Sequence, residues 1–254
     1  MSGILYGLED KVVVVTGGSR GIGLELARNF LTHGARVVIC GRKEENLKAA
    51  VESLGGGKRL LSVAAHVGKE GDVENLFDTA VRQFGGLDVL INNVGMNLLT
   101  ASVTDTDLPV WNKIIEGNLT GAFLCSRKAA RIMRKKKQGK IVSISSLAGT
   151  KAAPAMGIYG IAKAGLEMLT KVLAAELAAF NIQVNAVAPG VVRTNFSKPF
   201  WATPAIHDQI VKAIPAGRIA EAADIAPIVL LLASSQADYI TGQTIAVDGG
   251  ATVI

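Results

Sequence analysis

Tyr159 and Lys163 stand four residues apart in Y-G-I-A-K. On a helix that spacing projects both side chains from one face, one above the other. Ser146 lies thirteen residues before Tyr159, after a run, I-V-S-I-S, that reads as a buried strand. A phenol, an ammonium and a hydroxyl brought together make a proton-donating site for a carbonyl oxygen. Ser143 and Ser145 compete with Ser146 for the hydroxyl role, although alternation along a strand turns neighbours to opposite faces.

Such a site needs a partner held in front of it, and the start of the chain describes one. Residues 11–16 contain V-V-V-V, the pattern of a fully buried strand. The run breaks at Gly17, Gly18, Ser19, Arg20, Gly21, Ile22 and Gly23, and a helical pattern follows over residues 24–34. Strand, glycine loop and helix start form a phosphate-binding arrangement. Small residues let the backbone approach a pyrophosphate, and the helix N-terminus supplies free N–H groups and positive potential.

A second strand covers residues 36–40. In NAD enzymes of this architecture an acid near its end holds the ribose hydroxyls, but here the tip reads Gly41-Arg42-Lys43. A carboxylate would repel a 2′-phosphate, whereas Arg42 would pair with it. Arg20 reaches the same phosphate from inside the loop. Two ordinary surface arginines are the alternative. The reading is NADP(H).

Helical patterns then cover residues 44–54, 72–84, 111–137, 157–180 and 222–232. Strand patterns cover 60–67, 88–92, 140–145, 183–188 and 244–247. Residues 193–215 lose clear periodicity. Alternating strands and helices imply parallel strands with right-handed crossovers. The expected fold is α/β: a single-domain Rossmann fold over residues 1–254, with a doubly wound, mostly parallel seven-stranded sheet, helices on both faces, and a substrate-loop segment at about residues 191–215.

Composition agrees. Hydrophobic residues make up 49% of the 254 and aromatics 5%, which favours a Val, Ile, Leu and Ala core under helices on both faces. The net charge of +6 would allow an anionic partner. The one dense basic run, residues 134–137, ends a helical pattern, where cations suit the dipole, and no aromatics interleave with it. No nucleic-acid partner is expected. Cys40 and Cys125 lie in apolar stretches and read as buried thiols in a reducing compartment, with no metal-site spacing. The N-terminus shows no basic region followed by a long apolar core. The longest apolar run, residues 225–233, is too short to span a bilayer. A cytoplasmic protein without a membrane partner is expected.

Taken together, the motifs resemble the short-chain dehydrogenase/reductase family over roughly residues 8–250. T-G-G-S-R-G-I-G at 16–23 is similar to its T-G-x-x-x-G-x-G loop, and N-N-V-G at 92–95 to its N-N-A-G motif. Asn118 in E-G-N-L, Ser146, Y-x-x-x-K at 159–163, N-A-V-A-P-G at 185–190, Thr194 and I-T-G-Q-T-I-A-V-D-G-G at 240–250 follow in order. Two positions depart: Val94 replaces the usual Ala, and His66 stands where an acid usually contacts adenine.

The resemblance implies hydride transfer between NADP(H) and a ketone or secondary alcohol, in the manner of a carbonyl reductase. Tyr159 would be the proton donor, its pKa brought down from about 10 by Lys163 and the cationic nicotinamide. Lys163 would hold the nicotinamide ribose, Ser146 the substrate oxygen, and Asn118 a water linking Lys163 to solvent. Cofactor contacts would come from the glycine loop, Arg42, Val67, Asn93, Gly95, Tyr159, Lys163, Pro189, Gly190, Val192 and Thr194. The substrate pocket would lie among Met96, Asn97, Leu98, Leu147, Ala148, Met156, Val191 and the loop 196–201. Its apolar character favours a neutral hydrophobic carbonyl. Lys198 or Arg193 could instead receive an acyl-carrier or CoA thioester, making a 3-oxoacyl-thioester reductase. A dinucleotide-sensing protein without turnover is a third reading, although such a protein is expected to lose Tyr or Lys. The family is usually tetrameric, so a homotetramer, or a homodimer, is expected.

Overall fold

The computed structural model of the chain describes residues 6–153 and 155–253. Seven strands form one sheet: β1 (Val12–Thr16), β2 (Arg36–Gly41), β3 (Leu60–Ala64), β4 (Val89–Asn92), β5 (Gly139–Ile144), β6 (Ile182–Pro189) and β7 (Thr244–Val247). Their order is β3-β2-β1-β4-β5-β6-β7, and every pairing is parallel. The chain winds outward from β1 to β3 and then crosses back to lay β4 on the other side of β1. The doubly wound Rossmann expectation is met, with a sheet that is wholly parallel.

Alternation along the strands buries both faces. Val13, Val15, Val37 and Ile39 point into one core, and Val14, Val38 and Cys40 into the other. The first core is covered by Leu26 and Phe30 of α1 (Gly21–Thr32), Leu47 of α2 (Glu44–Leu54), and Ile225 and Val229 of α8 (Ala222–Ala233). The second is covered by Leu76 and Phe77 of α3 (Glu70–Phe84), Cys125 and Met133 of α5 (Gly121–Lys136), and Leu177 of α6 (Gly157–Leu177). Runs such as V-V-V-V are continuous because neither face of these strands meets water. Burial pushes Cys40 up to about 11 and raises Cys125 as well, so both are inert thiols inside this core.

Two local differences from the periodicity matter for the site. The helical pattern over 111–137 is not one helix. α4 (Leu108–Ile115) leads into a π-helical segment, Glu116–Thr120, before α5 begins. The extra residue in a π turn rotates the side chains beyond it to a new direction, and Asn118 is its middle residue. The irregular stretch 193–215 contains α7 (Pro204–Lys212), with Pro204 in its first turn after Thr203. α7 fully buries no residue, and only His207, Ile210 and Val211 are half-buried, so its apolar stripe is short and easily missed. The Thr-Pro start was the available signal.

Candidate active site

The carboxyl ends of β1 and β4 diverge at the point where the strand order reverses, which is where ligands bind in open α/β sheets. A cleft of about 760 Å³ opens there. At one end it is lined by Gly17, Ser19, Arg20, Gly21 and Ile22, with Arg42 and His66 beside them. Gly17 takes a left-handed φ of +65°, which lets the chain leave β1 for the loop. A Cβ on Gly23 would stand 2.4 Å from both Asn93 Nδ2 and Gly17 O, so only glycine allows α1 to start so close to the strand ends.

Arg20, the residue before α1, provides no side-chain cap. The first amides of α1 therefore remain donors for a ligand in the cleft. Arg20 and Arg42 are exposed guanidiniums with no ion pair among the described residues. Asn93 donates to Thr16 O (2.9 Å) and Gly17 O (3.2 Å), pinning the tip of β4 to the tip of β1. Val94 stands 3.2 Å from the position a Cβ on Gly17 would take. His66 is part of a turn. Its Nδ1 accepts from Gly68 N–H (3.2 Å), and its own N–H donates to Asp72 Oδ2 (2.8 Å).

The other end of the cleft holds Ser146, Tyr159 and Lys163. Ser146 follows β5 and caps a short 3₁₀ turn, accepting from Ala148 N–H at 3.2 Å. The competing serines are committed elsewhere: Ser143 accepts from Asn92 Nδ2 (3.4 Å), and Ser145 donates to Glu167 Oε1 (2.7 Å). Tyr159 and Lys163 project from the first turns of α6 and are 6% and 2% exposed. The Lys163 ammonium donates to Ile144 O (2.7 Å) and lies 5.5 Å from the centre of the Tyr159 ring.

Asn118 is buried and does not line the cleft. Its Nδ2 donates to Met96 O (2.7 Å) and Ile114 O (2.8 Å), and its Oδ1 accepts from Met96 N–H (3.2 Å). It is nonetheless close to the reactive group. The point a Cβ on Gly95 would occupy is 3.5 Å from Asn118 Oδ1 and 3.8 Å from Lys163 Nζ. The side chain thus ties the π segment to the irregular chain after β4, beside the ammonium.

Burial dominates the electrostatics of both titratable groups. Burial pushes the Tyr159 phenol up to about 12, against a lowering hydrogen bond with Ser146. Burial also brings Lys163 down to about 8, with Glu167 pulling the other way. The ammonium sits over the ring and is turned to the Ile144 carbonyl.

A family model described as enoyl-(acyl carrier protein) reductase matches residues 17–252. Dehydrogenase/reductase SDR family member 4 of Bos taurus is 40% identical over 244 residues, covering 96% of this chain and 88% of its own. The Oryctolagus cuniculus protein of the same name is 38% identical over 245 residues, covering 96% and 94%. A short-chain type dehydrogenase/reductase from Mycobacterium marinum superposes with a TM-score of 0.92 at 31% identity, covering 98% of each chain. The chain belongs to the short-chain dehydrogenase/reductase family. It is an oxidoreductase, and the family works with nicotinamide dinucleotides.

The residues present fit such a cofactor. Uncapped α1 amides and unpaired arginines suit its phosphates. A floor of Val94, Pro189, Gly190 and Val192 leads from there to the reactive end, with Val67 and Thr194 also on the walls. Asn46, Lys113 and Glu116 line this family member's cleft as well. Their spacing carries no motif, and only the fold brings them there.

The substrate end is lined by Met96, Leu147, Ala148, Met156, Phe196 and Phe200. Asn97 and Leu98 fall outside the lining, as do both cations named for a thioester. Arg193 is held by Glu221 (3.0 Å) and lies 5.1 Å from the centre of the Trp201 ring. The Phe196 ring packs on Tyr159, with centroids 5.8 Å apart.

Proposed function

We propose that this protein reduces neutral, hydrophobic ketones with NADPH and oxidises the corresponding secondary alcohols with NADP. The observation that carries the reading is the meeting of Ser146, Tyr159 and Lys163 at the apolar end of a cleft whose other end presents Arg20 and Arg42. The cofactor supplies the hydride. Tyr159 Oη gives its proton to the carbonyl oxygen, and Ser146 Oγ donates to the same oxygen and stabilises its developing charge. Lys163 keeps a positive charge against the Tyr159 ring and holds the nicotinamide ribose. Asn118 is a positioning residue for that ammonium, with a water between Lys163 and solvent.

Gly17 to Gly23, Asn93, Gly95 and Thr194 complete the cofactor's binding surface, with residues 191–215 as the substrate segment of a single catalytic unit. The test is NADPH oxidation against a panel of ketones, diketones and 3-oxoacyl thioesters. Turnover confined to thioesters would overturn the proposed substrate class. Retention of both Tyr159 and Lys163 speaks against a sensor without turnover.

The buried lysine sets the pH profile. At neutral pH the ammonium is charged, and raising the pH through about 8 deprotonates it. Because its folded pKa lies below the unfolded value, burying the charge opposes folding below about 8, and that penalty fades as the pH rises to 10.5. Activity moves the opposite way. The kcat/KM for ketone reduction is expected to fall above pH 8, well before the phenol titrates. A profile flat to pH 10 would remove the charged Lys163 from the mechanism.

We also place this protein as a homotetramer, or a homodimer, in the cytoplasm. Phe123 on α5 and Ile161, Met168 and Val172 along α6 are exposed apolar side chains suited to a subunit contact. Light scattering is expected to report an oligomer, and a stable monomer would refute this. Two free, buried cysteines suit a reducing compartment, which cell fractionation tests. No helix among the described residues is long and apolar enough to cross a membrane.

A further inference from the structure

We propose that Ser197 is a positioning residue, the clasp that holds the substrate loop closed over Tyr159. Its hydroxyl is buried (6% exposed) at a point where three parts of the loop meet. Ser197 Oγ donates to Val192 O. It accepts from Thr194 N–H at 3.2 Å and from the Trp201 indole N–H at 3.0 Å. Thr194 O and Oγ1 lie a further 3.2 and 3.3 Å away. One hydroxyl has one proton and two lone pairs, so a donation and two acceptances use its whole capacity.

The segments joined by the clasp explain its use. Val192 is anchored, because it forms a parallel bridge with Ala220, and Arg193 N–H donates to Ala220 O at 2.8 Å. Thr194 stands over the glycine loop, its Cγ2 3.3 Å from where a Cβ on Gly21 would be. Phe196 precedes Ser197 and packs on the Tyr159 ring. Trp201 ends the segment, with the Arg193 guanidinium over its face. Beyond it α7 has no fully buried residue, only the half-buried His207, Ile210 and Val211, so the loop's own hydrogen bonds matter for holding it down. Ser197 therefore sets Phe196 against the proton donor and Thr194 against the cofactor end, with Trp201 behind the loop, outside the cleft lining. Alanine would leave the Thr194 amide and the Trp201 indole without their acceptor.

The inference rests on the proposed function for its kinetic arm only. Trp111 and Trp201 are the two tryptophans, so a Trp111→Phe background leaves Trp201 as the sole indole. In that background Ser197→Ala is expected to increase acrylamide quenching of Trp201, and Ser197→Thr, which keeps a hydroxyl, to restore the parent value. In turnover, Ser197→Ala is expected to raise KM for the ketone about tenfold with kcat changed less than about threefold. Trp201→Phe should raise KM in the same direction. The double variant should be no worse than Ser197→Ala alone, because the indole bond that Trp201→Phe removes is already lost in Ser197→Ala.

Unchanged quenching and KM in Ser197→Ala would overturn the proposal, as would failure of Ser197→Thr to rescue. If no ketone is turned over, the proposed function fails while the quenching arm still decides the clasp. If Ser197→Ala does not fold, Trp201→Phe carries the test, and an unchanged KM there overturns it.

Discussion

Tyr159→Phe is expected to lower kcat for ketone reduction by about 10²- to 10⁴-fold, the usual worth of a general acid. The substitution removes one oxygen and preserves the ring. Tyr159 is 6% exposed and packs among Ile114, Ile158, Trp111 and Met156, so phenylalanine occupies the same space. The contact with the Phe196 ring survives, and Lys163 keeps its bond to Ile144 O. Ser146 loses its phenol partner but retains the Ala148 amide. Binding of NADPH, read from nicotinamide fluorescence, should therefore stay within about twofold while turnover collapses. A loss confined to KM would place Tyr159 in binding, and undiminished turnover would remove it from the chemistry.

Arg42→Ala is expected to weaken NADPH about tenfold or more with little change for NADH, and Arg20→Ala to act in the same direction. A charge-assisted bond to phosphate contributes about 1.5–3 kcal/mol, and the exposure of both side chains puts the effect at the lower end. Both variants together should approach NADH-like affinity for NADPH. Among the described residues neither arginine takes part in an ion pair, so their loss leaves no buried charge behind and the fold intact. Titration calorimetry with both cofactors reads the result. Preference for NADH in the unsubstituted protein would sink the phosphate argument.

Much of this was legible in the linear chain because local rules govern it. Parallel strands buried on both faces are rich in apolar β-branched residues, so V-V-V-V and I-V-S-I-S, with its two buried serines, could be read as strands without any contact being known. The glycine loop was legible because close backbone approach tolerates no side chain, as Gly23 against Asn93 illustrates. The Tyr159–Lys163 pair was legible because helical spacing alone sets the shared face. Helix α7 and the π segment were not. α7 fully buries no residue and has only a short half-buried stripe, His207, Ile210 and Val211, and a π turn is one inserted residue in an otherwise helical pattern.

Residue type and spacing by themselves determined the order of the strands and of most helices, the phosphate-binding loop, the missing acid after β2, and the shared face of Tyr159 and Lys163. Those depend on backbone geometry within a few residues. Tertiary packing decided which titratable group comes close to working pH. Desolvation, a property of everything around a side chain, drives Lys163 down to about 8 and Tyr159 up to about 12. It also decided that Arg193 is taken by Glu221 and Trp201, and that one serine, Ser197, gathers Val192, Thr194 and Trp201. Those are partnerships between segments that meet only when the chain is folded, and no spacing rule encodes them.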